Sequence, residues 1–401
     1  MTGNRLYDLF LTAGGKAVTD SRRVMDGDIF FALRGENFNG NDFAIKAIEK
    51  GASLAVVDDP GITGEGIYYV EDVLAALQSL AIIHRRNMDV PVLAITGSNG
   101  KTTTKELVAT VLATKYRVHF TPGNLNNHIG VPLTILSAPP ETELMIIEMG
   151  ANHGGEIRRL CEIADPGYGL ITNIGRAHLE GFGSPEGVVA AKSELYQHLG
   201  DNGGRIIYNN RDPLLSAIVD SSGIKAYSYE APGNSAVRME GYRLVPGLTV
   251  DIGIDGTAYT IETGLFGIHN VDNIMAAVAC GLVFNVGAGD IARSLNGYSP
   301  DNNRSQLMVT ETNTVICDSY NANPTSVANA IRSFMDYPGE PKTIILGDML
   351  ELGSYAIEEH TGIVNLLKTT KCRGGNPCGT GFQEVWRRFR LYIYEQRKRF
   401  V

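Results

Sequence analysis

The segment of this chain with the clearest chemical potential is glycine-rich and carries a lysine and threonines: Gly97-Ser98-Asn99-Gly100-Lys101-Thr102-Thr103. It follows a continuous apolar run at residues 90–96 and precedes residues 102–115, where apolar side chains recur at helical spacing. Such a turn points backbone N–H groups and the positive end of a helix dipole at one place, which suits phosphate oxygens. The pattern predicts a nucleoside triphosphate site in which Lys101 reaches the β- and γ-phosphates and the Thr102 hydroxyl ligates Mg²⁺.

One position departs from the usual phosphate-loop pattern G-x-x-x-x-G-K-[ST], because Ile95 stands where the first glycine belongs. The alternative interpretation is a glycine-rich turn that contains Lys and Thr without binding phosphate. The predicted strand before the turn and the predicted helix after it favour ATP or GTP binding.

Three further candidate groups are ambiguous from residue type alone. Glu148 ends a second apolar run, residues 144–148, and a carboxylate buried there must meet a cation. The alternative for Glu148 is an ordinary strand end that faces solvent. By type and position, His178 is typical of a loop histidine and Lys192 of a solvated lysine on a helix.

Composition limits what the protein can be. A chain of 401 residues with 43% apolar and 20% charged residues is long enough for two or three domains and lacks the composition of a disordered protein. The net charge of −9 argues against nucleic-acid binding. The apolar runs are too short to predict a membrane-spanning helix. The odd, scattered set of cysteines predicts reduced thiols in the cytoplasm rather than disulfides or a zinc site. They are Cys161, Cys280, Cys317, Cys372 and Cys378.

The order of apolar runs and helical patterns predicts three α/β domains. A small N-terminal α/β domain covers residues 1–88, a central domain covers 89–298 and a C-terminal domain covers 299–401. In the central domain, continuous apolar runs separated by helices predict a parallel sheet covered by helices on both faces. The strands predicted along the chain are residues 28–33, 54–58, 67–70, 90–96, 144–148, 170–173, 314–317 and 343–346.

The glycine-rich segment resembles the phosphate loop of the Mur ligases, ATP-dependent enzymes that build the peptidoglycan stem peptide. Later segments follow in the order found in that family: 121–132 (TPGNLNNHIGVP), 148–151 (EMGA), 173–180 (NIGRAHLE), 191–194 (AKSE), 267–273 (GIHNVDN), 318–324 (DSYNANP) and 347–353 (GDMLELG). Folylpolyglutamate synthetases share the phosphate loop but not the segments at 124–127, 320–324 and 347–353. Residues 20–22 (DSR) and 30–35 (FFALRG) also resemble the uridine-nucleotide-binding domain of the Mur ligases.

The resemblance implies an amide-forming reaction. ATP would phosphorylate the terminal carboxylate of UDP-N-acetylmuramoyl-tripeptide, and the amine of D-alanyl-D-alanine would displace phosphate from the acyl phosphate. It also implies a cytoplasmic enzyme with two Mg²⁺ sites, a phosphate loop in the central domain and a C-terminal Rossmann-like domain that completes the site on closure. We expect a monomer.

The resemblance also implies roles for individual residues. The catalytic set would be Lys101, Glu148, His178 and Lys192, of which Glu148, His178 and a carbamylated Lys192 would ligate Mg²⁺ together with Thr102. A second group would hold the nucleotide through its adenine, ribose and γ-phosphate: His269, Asn270, Asn273, Asp318 and Arg304. A third group would hold the other substrates, with Ser21, Arg22, Asn126 and Asn127 on the UDP-substrate and Tyr320 and Asn321 on D-alanyl-D-alanine. Three alternatives stay open: Asn270 caps a helix, Arg22 is a surface residue, and Asn126 and Asn127 orient Mg²⁺ instead of contacting the tripeptide carboxylate.

The resemblance stops after Leu367. Residues 368–401 are basic, carry the only Trp, and lack the strand and helix that the C-terminal domain should contain. One interpretation is a frameshift, because back-translation of residues 372–389 allows a neighbouring reading frame to encode an apolar strand, a glycine turn and a charged helix start. The other is a genuine basic amphipathic tail that binds a membrane surface or a partner. With an altered tail, the C-terminal domain would be incomplete.

Two rival functions therefore accompany the ligase interpretation. The chain could bind nucleotide without turnover because of its tail, or it could be a Mur-type ligase for a different amine.

Overall fold

The N-terminal unit is built on a parallel sheet of four short strands. The computed structural model describes residues 2–14, 16–230, 236–339, 341–370 and 375–378. The elements of this unit are α1 (Thr2–Ala13), β1 (Ala17–Val18), β2 (Ile29–Phe31), β3 (Arg34–Gly35), β4 (Phe38–Asn39), α2 (Ala44–Glu49), β5 (Leu54–Val57), β6 (Ile67–Tyr69) and α3 (Val73–Asn87). The strand order is β1-β2-β5-β6, and β3 and β4 form a small hairpin.

The central unit contains a parallel sheet of six strands in the order β12-β11-β10-β7-β9-β8 and an antiparallel sheet of three, β13-β14-β15. Its first elements are β7 (Val92–Thr96), α4 (Lys101–Leu112), β8 (Val118–Phe120), α5 (Gly130–Leu136), β9 (Leu144–Glu148), α6 (Glu156–Ala164), β10 (Tyr168–Ile171), α7 (Leu179–Phe182) and α8 (Pro185–Asp201). They are followed by β11 (Arg205–Asn209), α9 (Pro213–Ser222), β12 (Ala226–Tyr229), β13 (Val237–Arg243), β14 (Thr249–Ile254), β15 (Thr257–Glu262), α10 (His269–Val283) and α11 (Ala288–Leu295).

The strands of the six-stranded sheet are buried on both faces. Along β9, Leu144 and Ile146 belong to one apolar cluster and Met145 and Ile147 to another, because successive side chains on a strand point to opposite faces. One cluster packs under α4, α10 and α11, and the other under α3, α5, α6 and α8. The predicted α/β class, with a parallel central sheet covered on both faces, is confirmed.

The three-stranded antiparallel sheet was not predicted. Buried residues of β14, such as Val250 and Ile252, join the cluster under α10, whereas β13 and β15 are mostly exposed and each bury one residue, Val237 and Ile261. This half-buried pattern is typical of an antiparallel sheet that covers a core from one side. The predicted strands rest on continuous apolar runs, and the strands of this sheet contain no such run.

The C-terminal unit packs against α7 and α8 of the central unit. Its elements are β16 (Gln306–Val309), β17 (Thr314–Cys317), α12 (Pro324–Asp336), β18 (Ile344–Gly347), α13 (Ala356–Thr369) and β19 (Gly375–Cys378). Its apolar cluster includes Leu179 and Val188 beside Ile331 and Val364, so the two units share a core.

The aberrant tail predicted at 368–401 lies largely outside the described residues. Within it, Gly375–Cys378 form β19, which pairs with β18 in parallel, so the expectation that this segment supplies no strand is wrong. The predicted domain limits near residues 88 and 298 stay predictions. In the described part of the chain, no helix is long and apolar enough to cross a membrane.

Burial of the central strands gives a test of the fold. Ile207 on β11 is inaccessible to solvent, whereas Ile345 on β18 is 69% exposed. We expect Ile207→Ala to lower the free energy of unfolding by about 2–5 kcal/mol, because it leaves a cavity between the sheet and its helices. The matched change Ile345→Ala should alter it by less than about 0.5 kcal/mol. Urea denaturation followed by circular dichroism measures both, and equal losses would contradict the described packing.

Candidate active site

The predicted phosphate loop, residues 97–100, connects β7 to α4 where the strand order of the central sheet reverses. Such a reversal leaves a crevice at the carboxyl ends of the strands. Gly97 and Gly100 have positive φ angles of 143° and 79°, which glycine adopts at little cost. The first N–H groups of α4, which have no partner within the helix, lie at a cleft of about 750 Å³ lined by residues 98–103.

The loop is held in place by the segment that follows β10. The Ser98 hydroxyl accepts a hydrogen bond from Gly175 N at 2.9 Å and donates to Gly175 O at 3.1 Å. Asn173 Oδ1 accepts from Asn99 N at 3.0 Å. These contacts fix the backbone of the loop.

Lys101 is folded back over its own loop. Its ammonium donates to the carbonyls of Gly97 at 2.8 Å and Ser98 at 3.2 Å. Burial lowers the pKa of Lys101, the Glu148 carboxylate raises it, and the Arg304 charge lowers it. The ammonium thus lies at the phosphate loop, and its role at the β- and γ-phosphates stays a prediction.

Glu148 is a buried carboxylate, so the solvent-facing alternative is wrong. Its side chain is 1% exposed. Oε1 accepts hydrogen bonds from Asn126 Nδ2 at 2.7 Å and from the Thr102 hydroxyl at 3.2 Å. Oε2 lies 3.5 Å from Lys105 Nζ and accepts no hydrogen bond. A carboxylate buried at this strand end must meet a cation, and Lys105 is that cation.

The donor set beside the phosphate loop fits Mg²⁺. The Glu148 carboxylate and the Thr102 hydroxyl are oxygen ligands at hydrogen-bond distance from each other, and Mg²⁺ is usually held by one or two such groups together with phosphates and water. Among the described residues there is no cluster of three or more His, Cys, Asp or Glu side chains that could hold a metal by itself. These residues suit a metal that arrives with a nucleotide.

The C-terminal unit contributes a cation to the same cleft. The Arg304 guanidinium stacks 3.5 Å from the centroid of the Tyr320 ring, and both residues line the cleft with Asn321. Asn323 Nδ2, at the start of α12, donates to Asn99 Oδ1 of the phosphate loop at 2.6 Å. Arg304 thus lines the same cleft as the start of α4, and its role at the γ-phosphate stays a prediction.

His269 and Asp318 are brought together by one serine. His269 Nε2 lies 3.0 Å from the hydroxyl of Ser305, and Ser305 N donates to Asp318 Oδ1 at 2.9 Å. Burial lowers the pKa of His269, and the Asp318 charge opposes that shift. Both residues line the cleft beside the phosphate loop, where the adenosine was predicted.

Asn270 and Asn273 join α10 to α4. Asn273 Oδ1 accepts from the Thr104 hydroxyl at 3.0 Å, and Asn273 Nδ2 donates to Asn270 Oδ1 at 2.7 Å. Asn270 Nδ2 donates to Phe266 O at 2.7 Å, and α10 begins after Ile268 without a side-chain cap. The capping alternative for Asn270 is therefore wrong.

His178 contacts a residue of the C-terminal unit that sequence reasoning missed. Its Nδ1 makes a short contact with a carboxylate oxygen of Glu351. Burial lowers the pKa of His178, Glu351 raises it, and Lys101 and Lys192 lower it. The family resemblance includes the segment 347–353, but nothing in the sequence indicates that Glu351 faces this histidine.

Lys192 is buried, not solvated. It is 1% exposed on α8, and its ammonium lies 5.5 Å from the centroid of the Phe182 ring. Within the described residues it forms no ion pair. Burial and the Lys101 charge lower the pKa of Lys192 to about 7 against the opposing effect of Glu156 and Glu194. A large share of this amine is therefore neutral near neutral pH.

Of the four residues predicted to bind the UDP-substrate, two line the cleft and two do not. Asn126 and Asn127 line the cleft, and Asn127 Oδ1 also accepts from Gly130 N at 2.8 Å at the start of α5. Ser21 and Arg22 lie in the N-terminal unit and do not line it. The Arg22 side chain is 87% exposed and pairs with Asp20 at 2.9 Å, and this contact lowers the pKa of Asp20 to about 2. Their role stays a prediction.

Loop geometry supplies a test of the site. A Cβ atom on Gly100 would lie 2.4 Å from Asn273 Oδ1 at a φ of 79°, whereas a Cβ on Gly289 of α11 would meet nothing within 4 Å. We expect Gly100→Ala to weaken ADP binding by about tenfold or more, because the loop must shift and strain. Gly289→Ala should leave it unchanged. Isothermal titration calorimetry measures both, and wild-type affinity in Gly100→Ala would show that the loop does not hold the nucleotide.

Comparisons with known proteins agree with this geometry. The chain matches models of the Mur ligase family catalytic domain at residues 17–93, the Mur ligase middle domain at 95–281 and the Mur ligase glutamate ligase domain at 303–374. A UDP-N-acetylmuramoyl-tripeptide–D-alanyl-D-alanine ligase of Bacillus subtilis is 39% identical over 84% of this chain and 73% of its own length. The enzyme of that name from Escherichia coli is 33% identical over 84% of this chain and 75% of its own length.

Solved structures give the same result. MurF from Acinetobacter baumannii is 30% identical and superposes with a TM-score of 0.86 over 94% of this chain and 86% of its own. MurF ligase from Thermotoga maritima in complex with ADP is 27% identical and superposes with a TM-score of 0.83 over 94% of this chain and 87% of its own. The family resemblance is confirmed: this chain belongs to the Mur ligase family.

Proposed function

We propose that this chain is an ATP-dependent amide ligase that joins D-alanyl-D-alanine to UDP-N-acetylmuramoyl-tripeptide. The observation that carries the proposal is the single cleft in which the phosphate loop and Glu148 of the central unit face Arg304 and Tyr320 of the C-terminal unit. Relatives at 39% and 33% identity are named for this reaction.

The charges of the cleft fit the chemistry. ATP and the tripeptide carboxylate are both anionic, so the reaction requires cations and a helix N-terminus to bring them into line. Lys101, Arg304 and the start of α4 supply these around one space. A carboxylate oxygen attacks the γ-phosphorus and ADP leaves. The amine then attacks the acyl carbon, loses a proton, and phosphate leaves with the original carboxylate oxygen.

Thr102 and Glu148 would hold Mg²⁺ beside the nucleotide, where the metal would neutralise phosphate charge. His178 is a weaker candidate, because Mg²⁺ prefers oxygen ligands and because Glu351 occupies its Nδ1. A second Mg²⁺ would need a further anionic ligand.

Carbamylated Lys192 would supply that ligand. The amine is buried near Lys101 and close enough for the Lys101 charge to lower its pKa. Its neutral form attacks CO₂ and loses a proton, which replaces a cation by a carbamate with oxygen ligands. The cytoplasmic location and the monomeric state stay predictions.

Phosphate release tests the proposed reaction. With ATP, Mg²⁺, UDP-N-acetylmuramoyl-tripeptide and D-alanyl-D-alanine together, we expect sustained release of phosphate, and little release when either acceptor is omitted. The tripeptide is supplied in forms that end in meso-diaminopimelate or in lysine.

The controls separate the rival functions. Release with another amine, but not with D-alanyl-D-alanine, would establish a Mur-type ligase of different specificity. ADP binding without any turnover would support the inactive homologue and direct attention to residues after Leu367.

The carbamate is tested separately. With ¹³C-bicarbonate, we expect a carbamate signal in the ¹³C spectrum that grows from about pH 6 to about pH 8, because the neutral amine is the reacting form. Lys192→Met should abolish the signal, and Lys46→Met, a change at an exposed lysine, should not. A signal that persists in Lys192→Met would assign the carbamate elsewhere.

A further inference from the structure

Lys105 is a buried lysine to which the ligase mechanism gives no role. It lies four residues after Lys101, on the same side of α4, and is 1% exposed. Its side chain is not among those that line the cleft. Burying an ammonium is costly unless partners compensate for the lost water, so its contacts indicate what it does.

The charged partner of Lys105 is the carboxylate at the end of β9. Lys105 Nζ lies 3.5 Å from Glu148 Oε2 and donates to the carbonyl of Gly123 at 2.9 Å. The Phe120 ring completes its surroundings, with the centroid 5.9 Å from Nζ. Lys105 therefore connects the helix of the phosphate loop to the segment that carries Asn126.

The two oxygens of Glu148 have different surroundings because of this arrangement. Oε1 faces Thr102 and Asn126, both of which line the cleft. Oε2 faces the buried ammonium of Lys105. Since Gly123 precedes Asn126 by three residues, the ammonium that pairs with Oε2 also contacts the segment that donates to Oε1.

We propose that Lys105 is a positioning residue that makes Glu148 a one-oxygen ligand and so selects Mg²⁺ over Ca²⁺. Mg²⁺ requires near-octahedral geometry, whereas Ca²⁺ accepts both oxygens of a carboxylate and a larger, more flexible shell. Because Oε2 pairs with a buried ammonium, a cation that approached both oxygens would meet that positive charge, which disfavours two-oxygen ligation. The inference rests on the proposed function only in that a divalent cation accompanies the nucleotide at Glu148.

The test compares ADP binding in Mg²⁺ and in Ca²⁺ by calorimetry, with the full chain and no acceptor substrate. Wild-type protein should bind ADP more tightly with Mg²⁺. In Lys105→Met, the ratio of the two affinities should fall by about tenfold or more, as expected when a group that orients a metal ligand is removed.

Lys342→Met is the matched control. Lys342 is also buried, donates to the Met335 carbonyl at 2.6 Å and lies 5.8 Å from the Phe334 ring centroid, but in the described part of the chain it pairs with no carboxylate. In Lys342→Met, the ratio of the ADP affinity in Mg²⁺ to that in Ca²⁺ should equal the wild-type ratio. An unchanged ratio in Lys105→Met would overturn the proposal, as would an equal fall in both variants.

A double variant covers the case in which Lys105→Met folds poorly. Removing one member of a buried pair leaves the other uncompensated, whereas removing both does not. Lys105→Met/Glu148→Gln should therefore unfold at a higher temperature than Lys105→Met without nucleotide, and a midpoint no higher than that of the single variant would contradict the pairing. If wild-type protein shows no metal-dependent ADP binding, the proposed function fails, a result distinct from an unchanged ratio.

Discussion

The rest of the site depends on a carboxylate buried at the carboxyl end of a parallel strand. Glu148 cannot lie there without compensation, and its partners come from elements far apart in sequence: Thr102 and Lys105 from α4, and Asn126 from the segment after β8. These elements meet because parallel strands end at one edge of the sheet, where the order of β7, β9 and β10 opens a crevice. The fold is thus the means of assembling this cluster beside the phosphate loop.

The C-terminal unit completes the site through a small number of polar contacts. Asn323 donates to Asn99 of the phosphate loop, and Arg176, in the segment that follows β10, pairs with Glu359 of α13 at 2.7 Å. A shared apolar cluster that includes Leu179 and Val188 supports these contacts. Arg304 is also tied to α4 itself, because its backbone N–H donates to Asn302 Oδ1 at 3.2 Å and Asn302 Nδ2 donates to Glu106 Oε2 of α4 at 3.0 Å.

The sequence predicted what is local. The phosphate loop and the strand at Leu144–Glu148 follow from short runs of residues, because a glycine-rich turn and an apolar strand are specified by their own composition. It could not predict which cation compensates Glu148 or that Glu351 faces His178, since both depend on pairing between distant elements. Lys192, typical of a surface lysine by residue type, is buried because of how α7 and α8 pack. Only the family resemblance had singled it out.

The measurement that tests the central claim most directly is the fate of the carboxylate oxygen. UDP-N-acetylmuramoyl-tripeptide labelled with ¹⁸O in its terminal carboxylate is incubated with the protein, ATP, Mg²⁺ and D-alanyl-D-alanine, and the released phosphate is analysed by mass spectrometry. If the cleft aligns that carboxylate with the γ-phosphate, each phosphate carries one oxygen from the tripeptide. Unlabelled phosphate accompanying amide product would contradict transfer through an acyl phosphate.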